Sequence, residues 1–177
     1  MRALPRNEDE SKMTLAPAVT DIDLLKNHPA LAALLGWNKD AVEAAKFDRA
    51  EMTVWIPAAL IREACSVLRD SKDFPCNFLE DVTCVDWYPS EPRFEVVYHL
   101  LSMSKKDRVR LKVKLGSEKL SVPSITSVWP SANFPEREVF DLFGIHFEDH
   151  PYLRRIMMPE DWEGHPLRKD FPVEGYR

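Results

Sequence analysis

Residues 134–158 read FPEREVFDLFGIHFEDHPYLRRIMM and hold the densest combination of charge, aromatic surface and structural punctuation in this chain. The first half of this stretch predicts a short helix over about residues 134–143. Asn133 can cap the N-terminus of the helix, and Gly144 permits the left-handed residue at which many helices stop. We therefore expect this helix and the segment after it to organise the rest of the chain.

Glu136 is an acidic residue that falls on the apolar side of the predicted helix. At about 100° per residue, apolar and charged side chains occupy opposite arcs of the helix. The apolar arc holds Val139, Phe140, Leu142 and Phe143, and the charged arc holds Arg137, Glu138 and Asp141. A buried carboxylate without a partner would strongly destabilise the fold. Two kinds of partner remain open for Glu136: free N–H groups of the first helical turn, or the guanidinium of Arg154 or Arg155.

Composition bounds the class of protein. The chain has 177 residues, 45% hydrophobic and 30% charged, which fits one globular domain with tails. The net charge of −5, without runs of cations and aromatics, argues against nucleic-acid binding. The five glycines cannot form a Gly-rich phosphate loop. No apolar run approaches the roughly 20 residues of a membrane helix, and no signal peptide is recognisable, so we expect a cytoplasmic protein.

The chain divides into three predicted regions. Residues 1–19 are polar and contain prolines, which predicts a disordered N-terminal tail. Residues 20–147 form the core domain, and residues 148–177 form what we call the C-terminal arm. The predicted fold class is α+β: a two-layer domain with a mixed β-sheet covered by helices, plus an extended C-terminal arm.

Within the core domain, helical spacing runs from Ile22 to Gly36 and is split or kinked by Pro29. Alternating Met52, Val54 and Ile56 then predict one face of a strand, and a helix follows over about residues 57–69. Three further strands are predicted at residues 82–87, 94–103 and 108–115, of which the second is apolar on both faces and is expected to be central.

The last of these strands carries a row of four cations on its outward face: Arg108, Arg110, Lys112 and Lys114. One interpretation is an anionic docking surface. The other, which we favour, is a solvated cationic face near the edge of the sheet, where charge discourages aggregation between strands.

The C-terminal arm contains four prolines and two glycines, which exclude a long helix or a central strand. It also carries many aromatic and aliphatic side chains, too many for a disordered tail. We therefore predict that the arm lies across a partner protein, with rapid amide exchange in the isolated chain. Its cations Arg154, Arg155, Arg168 and Lys169 flank aromatic residues, a composition typical of interfaces.

Catalytic and metal sites are less well supported by the pattern. His146 and His150 are four residues apart, but Gly144 and Pro151 oppose the helix that would align them. The carboxylates of Glu136, Glu138 and Asp141 lie near arginines and favour structural ion pairs over acid/base catalysis. The three cysteines, Cys65, Cys76 and Cys84, are widely spaced and predict buried, reduced thiols without a disulfide, zinc or iron–sulfur site.

The residues of this region resemble a known signature: Glu136, Arg137, Glu138, Asp141, Leu142, Phe143, His150, Arg154 and Ile156, followed by GHPLRKDFP at residues 164–172. The signature is that of the C-type subunit of NADH:quinone oxidoreductase, the thirty-kilodalton subunit of respiratory complex I. The match is closest over residues 130–177 and is compatible with the order of elements from about residue 20. Because the chain ends soon after this motif, it resembles a separate C-type subunit and not a fusion with the D-type subunit.

The resemblance implies a non-catalytic subunit of the peripheral arm of a proton-translocating complex, on the cytoplasmic side of the inner membrane. It implies no cofactor in this chain, with NADH, FMN, iron–sulfur clusters and quinone in partner subunits. The expected partners are chiefly the D-type subunit, and also the B-type and I-type subunits.

The residues expected to serve as structural signature or partner interface are Glu136, Arg137, Glu138, Asp141, His150, Arg154, Arg155, His165, Arg168 and Phe171. Two alternatives remain. Related hydrogenase and formate hydrogenlyase complexes use a similar module, and a free-standing metal or acid/base enzyme could be centred on residues 136–150.

Overall fold

The structure is a computed structural model that describes residues 17–172 and 174. The helices are α1 (Ile22–Leu25), α2 (Pro29–Trp37), α3 (Ile61–Asp70) and α4 (Asn133–Phe143). The strands are β1 (Ala44–Asp48), β2 (Glu51–Trp55), β3 (Phe78–Asp86), β4 (Phe94–Ser102), β5 (Asp107–Leu115), β6 (Ser121–Pro123) and β7 (His146–Glu148). Most of the predicted N-terminal tail, residues 1–16, lies outside the described residues. At its end, the N–H and carbonyl of Val19 pair with Phe47 of β1.

A mixed five-stranded sheet forms the first layer, in the order β1-β2-β5-β4-β3. Strands β2 and β5 run parallel, and the other neighbouring pairs are antiparallel. Strands β6 and β7 form a small parallel sheet of their own. The predicted mixed sheet is confirmed, although β5 occupies its middle and the predicted central strand, β4, lies one position toward β3.

The helices form the second layer on one face of the sheet. Alternate residues of the strands, including Met52, Val54 and Leu111, are buried together with apolar residues of α2, α3 and α4 in one core. Burial of this alternating set explains why the sequence period identified the strands. The two-layer α+β class is therefore confirmed.

Pro29 positions α2 as predicted, whereas the helix predicted to begin at Pro57 starts at Ile61. Pro29 is the first residue of α2 and separates it from α1, because its fixed φ suits a first turn and its missing N–H would interrupt a helix interior. Helix α2 continues through Gly36 to Trp37, one residue beyond the predicted stop. Pro57 precedes a 3₁₀ turn, Ala58–Leu60, that leads into α3.

The cationic row of β5 does not lie near a sheet edge, so that part of the prediction is wrong. Strand β5 is flanked by β2 and β4, and acidic residues on β2, β4 and the next strand, β3, meet its cations. The ion pairs are Arg108–Glu80 at 2.9 Å, Arg110–Glu51 at 2.6 Å and Lys112–Glu95 at 2.7 Å. The row is thus largely neutralised within the open face of the sheet.

All three cysteines are buried and free, as predicted. Burial raises the pKa of Cys76 and of Cys84 to about 12, so both thiols stay protonated and unreactive at neutral pH. Within residues 17–172 and 174, no helix has both the length and the apolar composition needed to cross a membrane.

Candidate partner interface on helix α4 and the C-terminal arm

Helix α4 begins and ends through backbone geometry. Asn133 is its first residue and not its cap, because a 3₁₀ turn, Pro130–Ala132, runs directly into the helix. The predicted Asn133 cap is therefore wrong. The predicted stop is confirmed: Gly144 adopts φ 74° and donates its N–H to the Phe140 carbonyl. Glycine takes this left-handed conformation without the penalty of a Cβ.

Two of the three residues on the charged arc of α4 are buried, which the amphipathic pattern did not indicate. Val139 and Phe143 pack into the core as predicted. On the opposite arc, Arg137 is 7% exposed and Asp141 is 0% exposed, whereas Glu138 is open to solvent. The C-terminal arm covers this arc, so α4 lies between the core and the arm.

Asp141 binds the backbone of the arm. One carboxylate oxygen accepts the N–H groups of three consecutive residues, Ile156, Met157 and Met158, at 2.7–3.0 Å. The other accepts Arg155 Nη1 at 2.7 Å. Burial alone would raise the pKa of Asp141, but these four bonds outweigh it and hold the pKa below its usual value. Asp141 is therefore an ionised anchor for the arm.

Arg137 binds the same arm segment through its carbonyls. Its Nε donates to the Arg154 carbonyl at 3.1 Å, and its Nη2 donates to the Arg155 carbonyl at 3.4 Å. The guanidinium also lies 5.6 Å from the ring centroid of Phe134 and 5.5 Å from that of Tyr152. Arg137 thus packs against the rings of Phe134 and Tyr152 with the same guanidinium that binds the arm.

The arm in turn satisfies the carbonyl groups that the last turn of α4 leaves unpaired. The donors are His165 Nδ1 to Asp141 O at 2.9 Å, the Leu167 N–H to Leu142 O at 3.1 Å, and Arg168 Nε to Phe143 O at 2.6 Å. A Cβ at position 144 would overlap the side chains of His165 and Arg168, so Gly144 is required for this close approach as well as for its φ.

Arg93 ties the end of the arm to the β3–β4 connection. Its guanidinium forms paired hydrogen bonds to Asp86 at 2.9 Å and to Asp170 at 2.6 and 2.9 Å. The Lys169 N–H also donates to Asp86 at 2.9 Å. These bonds, led by the one from Arg93, hold the pKa of Asp86 well below its usual range. Sequence reasoning missed this network, because its bonded members are up to 83 residues apart and no local pattern links them.

Glu136 is fully buried and takes neither of its two predicted partners. Its carboxylate accepts Ser124 Oγ at 2.6 Å and the Ile125 N–H at 2.7 Å, both from the turn after β6. Arg155 is engaged elsewhere, and the Arg154 side chain lies against an aromatic ring at the surface. Both alternatives were wrong because the fold places the turn after β6 within hydrogen-bonding distance of the Glu136 carboxylate. This proximity arises only in the tertiary structure.

His150 lies beside Glu136 without forming an ion pair at neutral pH. Its Nε2 is 3.9 Å from Glu136 Oε2 and 3.2 Å from the Asn133 carbonyl, and its Nδ1 accepts the Tyr152 N–H at 3.0 Å. These partners assign the neutral tautomer with the proton on Nε2. Burial raises the pKa of Glu136 to about 7 and lowers that of His150. At neutral pH the junction is thus built of a partly protonated carboxyl group and a neutral imidazole.

The remaining predicted residues do not assemble a reactive centre. His146 is exposed on β7, and Phe171 is half-buried with its N–H donating to the Arg168 carbonyl. In the part of the chain that the structure describes, no three His, Cys, Asp or Glu side chains are arranged to hold a metal ion. The charged groups of this region bind backbone groups and one another.

The outer surface of the same region carries large apolar side chains among its charged ones. Five large side chains of α4 and the arm point to solvent: Phe134, Tyr152, Met157, Trp162 and Leu167. Such a concentration of exposed aromatic and aliphatic side chains, on a segment whose backbone is held by hydrogen bonds, is typical of an interaction site.

Comparison with known proteins identifies the family to which this chain belongs. Residues 54–177 match the family described as the 30 Kd subunit of respiratory-chain NADH dehydrogenase. The chain belongs to this family.

Relatives and solved structures agree with this assignment. The chain is 47% identical to the C-type subunit of NADH-quinone oxidoreductase of Roseiflexus sp. (strain RS-1), over 84% of this chain and 86% of that protein. It is 50% identical to the corresponding subunit of Citrifermentans bemidjiense, over 72% and 78%. A trypsin-resistant fragment of Nqo5 is similar in structure, with 37% identity, a TM-score of 0.52, and coverage of 58% and 83%. A chain of an archaeal membrane-bound sulfane sulfur reductase has 27% identity, a TM-score of 0.68, and coverage of 81% and 84%.

Proposed function

We propose that this chain is the C-type subunit of a proton-translocating NADH:quinone oxidoreductase, respiratory complex I. It is a non-catalytic subunit of the peripheral arm, without a cofactor of its own, that supports assembly of the quinone-reducing module. NADH, FMN, iron–sulfur clusters and quinone bind to its partners. Those partners are chiefly the D-type subunit and also the B-type and I-type subunits, on the cytoplasmic side of the inner membrane.

The observation that carries this proposal is that the signature residues bind backbone groups of this chain. Asp141, Arg137 and Arg155 bind backbone groups of the arm, and Glu136 binds the turn after β6. Groups engaged in this way shape and fix a surface, and they are not free to exchange protons with a substrate. Family membership then supplies the kind of assembly to which that surface belongs.

A second candidate is the equivalent subunit of a related membrane complex with another electron donor or acceptor, such as a hydrogenase or formate hydrogenlyase. The observation in its favour is the structural similarity to a chain of the sulfane sulfur reductase complex, which covers 81% of this chain. The identity of 27% is well below that of the NADH-quinone oxidoreductase relatives, so we favour complex I.

Purification of the native complex through a tag on this chain tests the proposal. We expect flavin, iron–sulfur and D-type subunits to co-purify, together with NADH-dependent quinone reduction. Co-purification with hydrogenase or sulfur-reductase subunits would favour the second candidate. The isolated chain should contain no metal and show no NADH turnover, whereas bound metal with turnover would support the free-standing enzyme centred on residues 136–150.

Replacement of Glu136 gives a further test of the scaffold role. In this proposal, Glu136→Ala lowers the amount of assembled complex more than the activity of each complex that does assemble. Normal assembly with a collapsed turnover would contradict it.

A further inference from the structure

Two aromatic rings and two guanidinium groups form one continuous surface where α4 meets the arm. The Arg137 guanidinium lies 5.6 Å from the Phe134 ring centroid and 5.5 Å from that of Tyr152, and the Arg154 guanidinium lies 4.3 Å from that of Tyr152. Phe134 is 66% exposed and Tyr152 is 52% exposed. We call these four residues the stacked patch.

The stacked patch is held rigidly from below. Arg137 is nearly buried, and its bonds to the Arg154 and Arg155 carbonyls fix the guanidinium on which both rings rest. The Tyr152 N–H is bonded to His150 Nδ1. Rigid placement reduces the conformational entropy that an aromatic side chain loses on binding, and aromatic residues and arginine dominate the binding energy of protein interfaces.

The patch carries positive charge that the described residues do not neutralise. Within residues 17–172 and 174, neither Arg137 nor Arg154 has a carboxylate within 4.0 Å. Tyr88 offers a contrast inside the same chain. It is similarly exposed with Arg93 4.9 Å from its ring, but Arg93 is paired with Asp86 and Asp170.

An open groove adjoins the stacked patch. Thr126, Ser127, Pro130, Asn133, Asp149 and Pro151 line a space of about 360 Å³, and Asn133 and Pro151 directly precede the two rings in sequence. The groove gives room for a chain segment that continues beyond the patch.

We infer that the stacked patch docks a segment of a partner subunit in which an acidic residue lies next to apolar ones. The partner's carboxylate pairs with Arg154, and an apolar side chain packs against the rings of Tyr152 and Phe134. Charge complementarity selects this occupant, because the exposed Arg154 cation, which has no counter-ion among the described residues, favours an acidic partner over a basic or purely apolar one. The inference rests on the proposed function, since it requires a multisubunit assembly.

Photocrosslinking in the assembled complex tests the inference directly. Benzoylphenylalanine is placed at position 152 of the tagged full chain, with position 103 as the control, since Met103 is also exposed but lies at the β4–β5 turn. We expect position 152 to crosslink to one partner-subunit peptide that contains Asp or Glu. A crosslink to a second copy of this chain or to lipid, or no crosslink in an assembled complex, would overturn the inference.

Charge reversal gives a second, independent test. Arg154→Glu is compared with Lys114→Glu, since Lys114 is also an exposed cation near an aromatic ring, 5.9 Å from that of Trp55. We expect Arg154→Glu to lower the recovered assembly about tenfold at moderate salt, and reversal of the crosslinked partner carboxylate to Lys to restore it. Equal recovery of the two variants would contradict the inference.

Two controls separate this inference from folding and from the proposed function. The Arg154 side chain has no hydrogen bond to the described part of the domain, so the melting temperature of the isolated Arg154→Glu chain should match that of the unmodified chain. If the unmodified tagged chain purifies without NADH:quinone oxidoreductase subunits, the proposed function itself fails.

Discussion

Arg137 and Asp141, one turn apart on α4, bind the same arm segment in opposite senses. Arg137 donates to the carbonyls of residues 154 and 155, and Asp141 accepts the N–H groups of residues 156–158. Five consecutive residues of irregular chain therefore have backbone partners without joining a helix or a strand. The arm is preformed on its own domain, and its exposed side chains are presented from a fixed backbone.

Asp141→Ala should release the centre of the arm. The change leaves three N–H groups and the Arg155 guanidinium without their acceptor, and loss of one partner of a buried charged pair costs about 3–5 kcal/mol. We expect a fall of that size in the free energy of unfolding, measured by urea denaturation, with fast amide exchange at residues 156–158. Glu138→Ala, an exposed carboxylate on the same helix, is the control and should change stability by less than about 0.5 kcal/mol. Similar effects of both changes would refute the anchoring role of Asp141.

The same exchange experiment tests the predicted flexibility of the arm in the isolated chain. The structure favours the opposite result for residues 156–158, because their N–H groups are bonded to Asp141 within the chain. We expect slow exchange there, and faster exchange in the arm residues whose N–H groups face solvent. Uniformly fast exchange across the arm would support ordering by the partner instead.

Glu136→Gln should remove a specific pH dependence of stability. Burial raises the Glu136 pKa from 4.5 to about 7 in the folded chain, so folding takes up a proton between these values. The stability contributed by this group is therefore complete below pH 4.5 and is lost as the pH rises through 7. Glutamine keeps an acceptor for the Ile125 N–H but cannot ionise. Relative to the variant, the unmodified chain should lose up to about 3 kcal/mol between pH 5 and 8, since a tenfold change in proton affinity equals about 1.4 kcal/mol.

The comparison between the two chains is needed because other groups titrate in the opposite direction. Burial lowers the pKa of His28, His99, His150 and His165, and folding stability from these groups is lost as the pH falls through their range. His28, His99 and His165 are common to both chains, so their contribution cancels in the difference between the two unfolding free energies, whereas His150, 3.9 Å from Glu136, forms part of that difference. A difference that stays constant from pH 5 to 8 would show that Glu136 does not titrate there.

Gly144→Ala should destabilise the chain through both backbone and packing. Residue 144 has φ 74°, and an added Cβ would overlap His165 and Arg168. The left-handed conformation alone costs an alanine about 1–2 kcal/mol, and displacement of the arm adds to this. Gly36→Ala is the matched control, because Gly36 lies in α2 with no atom within 4 Å of an added Cβ. It should be neutral or stabilising by up to about 1 kcal/mol. Thermal melts of the two variants should therefore shift in different directions or by clearly different amounts.

Arg93→Leu should cost more than removal of an exposed arginine. The Asp86 side chain is 2% exposed, and without Arg93 it becomes a buried charge without its main partner. We expect a loss of about 3–5 kcal/mol in the free energy of unfolding. Arg108→Leu breaks the more exposed pair with Glu80 and should cost at most about 1 kcal/mol. Asp170→Asn weakens only the bonds between Arg93 and the arm. It should make residues 165–170 more susceptible to proteolysis, with a smaller loss of unfolding free energy than Arg93→Leu.

The elements of the core could be predicted because their signals are local. Met52, Val54 and Ile56 alternate within five residues and mark one face of a strand. Pro29 fixes its own φ, and Gly144 adopts a left-handed conformation without a steric penalty, whatever the tertiary structure around them. The strand order was not accessible in this way. The cations of β5 marked an outward face in sequence, but whether that face lay at an edge or beside acidic neighbours depended on which strands paired.

The sequence by itself determined the class of fold, a helix over about residues 134–143 and the signature that places the chain in its family. Only the tertiary structure decided the partners of the charged residues. Glu136 binds the turn after β6. Arg93 binds Asp86 and also Asp170, which lies 77 residues after Arg93 in the sequence. A helix or strand follows from neighbouring residues through its repeat, whereas a buried charge takes whichever group the completed fold brings within about 3 Å.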